Sequence, residues 1–239
     1  MQTRHKTDEQ QRYSVSRLVA FSDGVFGFAI TLLIVNVIGA FPPLPSSASD
    51  ERLLAVLFGL GSTFFSYALS FYVVGAYWIA HHRIFSSIIR STSMLLWLNL
   101  TLLFFVVFLP FPTYLLGRYH SVVIAVLYAA TLSVISLCSS LIWEYAAFRR
   151  RLIPADLDEK TILSNRGSGW ITTALFVLSI GVALLSPSLA RISWFAIFLI
   201  RPHLLRLLLK EEEAIRHVLH GLAPAHVDAE KKPPTEHQP

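Results

Sequence analysis

Three groups of polar residues are embedded in apolar sequence, and each carries a chemistry. The first is Arg17, Ser22 and Asp23, within the run RLVAFSDGVFGFAITLL. Ionisable groups inside an apolar span are costly and are functional candidates by default. Six residues of helix turn through about 600°, so Arg17 and Asp23 do not share a narrow face. Asp23 has no cation three or four residues away, so its partner must come from another helix or from water. The second group is His81 and His82, in Trp78-Ile79-Ala80-His81-His82-Arg83-Ile84-Phe85. Adjacent helical positions point about 100° apart, which suits a metal badly. Metal helices space their ligands at i and i+4. A histidine donating to an embedded carboxylate is the better reading of this pair. The third group is Asn99 and Thr101, buried amide and hydroxyl groups that need partners and are able to complete such a network.

A fourth feature is a stripe rather than a cluster. Gly24, Phe28, Thr31 and Val35 recur at intervals of four, three and four residues, so they line one helix face bordered by Asp23. Gly24 and Gly27 let another backbone approach closely. Spacing alone fits either a packing seam or a lining. Cys138 is the only cysteine, which excludes an internal disulfide and any cysteine-only metal site. There is no nucleophile–base arrangement for an enzyme, and nothing calls for a cofactor.

The elements that must carry these residues follow from composition. Of 239 residues, 54% are hydrophobic and 15% charged, with a mean hydropathy of +0.57. Soluble domains carry roughly 25% charged residues. The net charge of +5 does not indicate nucleic acid, because the cations lie between apolar runs rather than along one face. A membrane-spanning helix needs about 20 apolar residues. Spans are predicted at 18–38, 53–79, 94–109, 122–143, 170–185 and, broken by Arg201, Pro202, His203 and Arg206, at 192–209. The first is no cleaved signal peptide, since Ser22 and Asp23 interrupt it and further spans follow. His81-His82-Arg83 is expected to end the second span, and Pro110 and Pro112 to mark the far end of the third. The stretch from Arg149 to Arg166 is expected to be the longest loop.

Arg4, Lys6, Arg12, Arg17, Arg83, Arg90, Arg149, Arg150, Arg151, Lys160 and Arg166 fall on one side of these spans. Only Arg52, Arg118 and Arg191 fall on the other. The positive-inside rule puts the first side, and with six spans both termini, in the cytoplasm of a cell (plasma or inner) membrane protein. The organisation expected is a cytoplasmic segment at 1–12, a six-helix membrane domain at 13–209 and a partly disordered cytoplasmic tail at 210–239.

The run Arg17-Leu18-Val19-Ala20-Phe21-Ser22-Asp23-Gly24-Val25 resembles the RxxxFSD signature of the transmembrane protein 175 family. This is a family of endosomal and lysosomal potassium channels with prokaryotic relatives. The resemblance continues through Ala29-Ile30-Thr31-Leu32-Leu33, through Trp78 to Phe85, through Leu98-Asn99-Leu100, and through Pro110-Phe111-Pro112-Thr113. It implies six helices per repeat and, for a chain with one repeat, a homotetramer whose first helices surround a pore. It also implies a pore constricted at Phe28, with Thr31 and Val35 lining it and potassium passing near Phe28 and Thr31. Arg17, Phe21, Ser22 and Asp23 would form a supporting network, bonding with Trp78, His81 or His82, and Asn99. Loss of Asp23 is expected to strand a buried partner, Arg17 or a histidine. Two departures stand out. Phe28 replaces a smaller aliphatic residue, and Asn36 replaces an acid expected near the outer mouth. The competing function is a proton leak or proton-coupled transporter using Asp23 and His81 or His82. Against a coupled transporter, the sequence has no paired broken helices.

Overall fold

The computed structural model describes residues 2–197, with side chains described from Tyr13 onward. All its regular structure is helical: α1 (Gln2–Ala40), α2 (Asp50–Gly59), α3 (Gly61–Phe85), α4 (Ser93–Phe108), α5 (Pro110–Arg118), α6 (Val122–Ala147) and α7 (Glu159–Leu185), with a 3-10 turn at Phe148–Arg150. Residues 187–197 are also helical, and the remainder of the predicted sixth span and the tail lie outside the described residues. Five stretches are long and apolar enough to cross a membrane: Tyr13–Ala40, Gly61–Phe85, Ser93–Arg118, Val122–Arg150 and Glu159–Leu185.

Five boundaries differ from the sequence expectation, each for a local reason. The chain that was expected to span at 53–79 breaks at Leu60, between Gly59 and Gly61, where two poor helix formers meet. The Leu60 amide bonds to Leu57 as well as Val56, a 3-10 tightening. The first piece, α2, buries no residue, although Ser49 caps it and Asp50 and Glu51 fill its first turn. His81-His82-Arg83 does not end α3. The helix continues to Phe85 because His81, Ile84 and Phe85 are buried against other helices. The prolines interrupt the third span without ending it. Pro110 takes the first turn of α5, where its missing N–H costs nothing, and the helix resumes to Arg118. Finally, α7 starts at Glu159 rather than 170, and α6 runs on to Ala147. Arg166 on α7 forms a two-pronged ion pair with Glu144 on α6, at 2.7 and 2.8 Å, so the apparent loop charges neutralise each other on adjoining helices. Arg149 and Arg150 make the turn with φ near +50°, and Arg150 holds the following loop by donating to the carbonyls of Ala155 and Leu157.

The core lies between α6 and its neighbours α7, α4 and α5, while α1 packs on α3, α4 and α5. Trp143, Trp194, Tyr128, Phe26 and Phe176 are its largest fully buried side chains. Hydroxyl groups join the helices across it. Tyr128 bonds to Ser70, which bonds to Thr113, and Thr113 donates to the Leu109 carbonyl. Small residues set the closest crossings. A Cβ on Gly117 would meet Thr63 Cα at 3.1 Å, and one on Gly169 would meet Ser140 Oγ at 2.8 Å.

Two separate sets of contacts gather the ends of the bundle. Ser14 meets Ser91, Thr92 meets Tyr145, and Arg83 reaches Ser168 at the end that carries the many cations. At the other end the buried Arg191 donates to the carbonyls of Leu116 and Tyr119, capping α5.

Candidate functional site

The site is built on α1, whose two faces differ. Val15, Leu18, Ser22, Phe26, Ala29, Leu33 and Val37 are buried at helical spacing against the rest of the chain. The opposite face is open along Gly24, Phe28, Thr31 and Val35, with Phe28 58% and Val35 54% exposed. A Cβ on Gly24 or Gly27 would meet nothing within 4 Å. Thr31 donates its hydroxyl proton to the Phe28 carbonyl at 2.8 Å. That bond points the oxygen lone pairs away from the helix, where they are free to accept from water or to approach a cation.

On the buried face a chain of hydrogen bonds has a fixed direction. Ser22 donates to the Leu18 carbonyl, so its oxygen accepts from Asn99 Nδ2 at 2.9 Å. The other end of that amide, Oδ1, lies 2.9 Å from His81 Nε2. An amide oxygen only accepts, so His81 carries its proton on Nε2. Its Nδ1 is buried without a hydrogen-bond partner. The ring is held between Phe26, at 5.5 Å, and Phe85, stacked at 4.2 Å. Three helices, α3, α4 and α1, are thereby joined in one directed line from His81 to Leu18.

Asp23 belongs to a different contact. It accepts from Trp78 Nε1 at 2.8 Å, and the Trp78 ring lies 6.2 Å from His82. Arg17 lies with its guanidinium 6.0 Å from the Tyr13 ring centroid, and among the described residues it forms no ion pair with Asp23. Asp23 thus takes Trp78 on α3, one of the partners expected for the network, and not Arg17 or a histidine, which its loss was expected to strand. Phe21 and His82 are exposed. Thr101 donates to the Trp97 carbonyl within its own helix and stays outside the network.

One residue was given a role by sequence that its geometry changes. Asn36, seven residues beyond Ala29 and fourteen beyond Ser22, continues the buried face rather than the stripe. Its Nδ2 donates to the Pro110 carbonyl at 2.9 Å, 74 residues away. Also unforeseen were the Ser70–Thr113–Tyr128 hydroxyls and the buried Arg191, which by sequence reads only as an outer-side cation. No group of three or more His, Cys, Asp or Glu among the described residues is arranged to hold a metal.

A bundle of membrane-length helices with apolar side chains facing outward defines an integral membrane protein of the helical class. Comparison with known proteins specifies which. Residues 17–110 match the family described as endosomal/lysosomal potassium channel TMEM175. A potassium channel of Chamaesiphon minutus is 32% identical over 156 residues, covering 64% of this chain and 75% of the relative. The crystal structure of a lysosomal potassium-selective channel TMEM175 homolog from Chamaesiphon minutus superposes with a TM-score of 0.69 at 27% identity, over 81% of this chain and 99% of that one. The mouse endosomal/lysosomal proton channel TMEM175 is 37% identical over 100 residues, 41% of this chain and 20% of the mouse protein. The chain belongs to the TMEM175 family, whose members are ion channels rather than enzymes.

Proposed function

We propose that this protein is a potassium channel in which four copies place their α1 stripes around one axis. The observation that carries the reading is the contrast between the faces of α1. One face is locked into the chain by directed hydrogen bonds. The other leaves Phe28, Thr31 and Val35 exposed. A single α1 cannot enclose a path for an ion, whereas closed cyclic assembly of identical chains can. The similarity to channels named for potassium supplies the ion. Potassium passes near Phe28 and Thr31, the four phenyl rings forming an apolar constriction that opens by wetting. Arg17, Phe21, Ser22, Asp23, Trp78, His81, His82 and Asn99 support the pore helix and do not line the ion's path. The unit is a six-helix domain at 13–209 in the cell membrane, with 1–12 and 210–239 cytoplasmic, as the uneven distribution of Arg and Lys favours.

A proton path is the second reading, and the name of the mouse relative favours it. The polar line from His81 supports it less, since it ends on the Leu18 carbonyl, which has no proton to pass on. Proteoliposomes loaded with potassium separate the two. A potassium channel releases potassium when a protonophore is added to balance charge. No potassium release with the protonophore, together with proton uptake when a potassium ionophore is added in its place, would replace this reading with the second.

A further inference from the structure

Ser22 and Asn36 lie on one line of α1, fourteen residues or about 21 Å apart along the axis. Each makes a hydrogen bond to the same neighbouring unit: Ser22 to Asn99 on α4, and Asn36 to Pro110 at the start of α5. Phe28, Thr31 and Val35 lie between these attachment points in sequence and on the opposite face. The helix is therefore tied by hydrogen bonds at both ends, with Phe26, Ala29 and Leu33 packed between the ties and the exposed stripe facing away from them. The outer attachment is made where α4 gives way to α5 at Pro110. The same break is gripped from α3 and α6, because Ser70 and Tyr128 feed a bond through Thr113 to the Leu109 carbonyl. Motion of α1 away from this break must give up the Asn36 bond, and among the described residues the amide has no other partner to exchange it for.

We infer that Asn36 is a positioning residue of the pore: its bond to the Pro110 carbonyl fixes the outer half of α1 and hence the separation of the Thr31 and Val35 side chains from the axis. The inference rests on the channel reading above. Its geometry excludes the alternative that position 36 acts by the charge it presents at the mouth, because the amide points into the subunit. An interhelical hydrogen bond in a membrane changes an equilibrium by about 2.7-fold, and four acting on one pore multiply to about fiftyfold.

Asn36→Leu and Asn36→Asp separate the two roles. Both lack the donor, but only the second adds negative charge. In full-length protein in bilayers under potassium and sodium gradients, both variants should raise current at least threefold and lower potassium-over-sodium discrimination. A wild-type-like Asn36→Leu, with or without a change in Asn36→Asp, would overturn the inference. Amide hydrogen exchange over residues 34–40 provides the check that needs no current. Asn36→Leu should exchange at least threefold faster there and no faster over α6, and equal rates in that outer segment would overturn the attachment. A wild type that passes no potassium would contradict the channel reading, while the exchange comparison would still decide whether Asn36 holds the helix.

Discussion

Asn99 supports two neighbours at once, since it accepts from His81 and donates to Ser22. Asn99→Leu keeps the size but leaves a buried N–H of His81 without an acceptor. Stranding a buried donor costs about 1–3 kcal/mol. Thermal unfolding in detergent should show Asn99→Leu destabilised by that amount, and unfolding equal to wild type would mean the line from His81 contributes nothing. Thr31 is a residue of another kind. Its bond to Phe28 satisfies its proton but leaves its lone pairs open on the exposed face. Thr31→Val preserves shape and removes those lone pairs, so single-channel conductance should fall while the cut-off for large cations stays where it is. An unchanged conductance would remove Thr31 from the ion's path. Ser22, Asp23, His81 and Asn99 were legible in sequence as polar groups in apolar surroundings, and the motif resemblance tied them together. Their pairing was not legible. Nothing in the spacing says that Asp23 takes Trp78 while Ser22 takes Asn99, because that depends on how three helices are rotated against each other.

At the level of helices, hydropathy located five membrane-length stretches because period and length are local properties. Their ends depended on tertiary contacts. Charges at 159–166 read as loop until Glu144 is seen opposite Arg166, and Pro110 reads as a stop until it is seen to start a new helix. The close pair α6 and α7 offers a test of packing. Gly169 leaves room for Ser140, whose hydroxyl bonds to Thr173 and to the Ser136 carbonyl. Gly169→Ala would place a methyl 2.8 Å from that oxygen. Overpacking of this size costs about 1–3 kcal/mol. The double variant with Ser140→Ala should recover most of the loss, since it removes the atom that clashes. Lack of recovery in a thermal shift assay would place the strain in the backbone rather than at this contact.

For the whole molecule, the proposed assembly is a tetramer in lipid, with the open faces of four α1 helices turned to one axis. Native mass spectrometry of the protein released from detergent should give four copies of a 26.8 kDa chain, and monomers and dimers alone would contradict the assembly. Within that assembly the proposed ion path runs along the α1 stripe and is narrowest at Phe28. The most direct measurement is a bi-ionic recording, potassium on one side of a bilayer and sodium on the other, of wild-type and Phe28→Ala protein. A phenyl ring at the narrowest level keeps the constriction dry, so wild-type current should be small and reverse towards the potassium equilibrium potential. Phe28→Ala should admit water, raise the current and move the reversal potential towards zero, because both ions then pass with more of their hydration shell. If Phe28→Ala leaves current and reversal potential unchanged while Val35→Ala alters them, the constriction is not at Phe28 and the account is wrong.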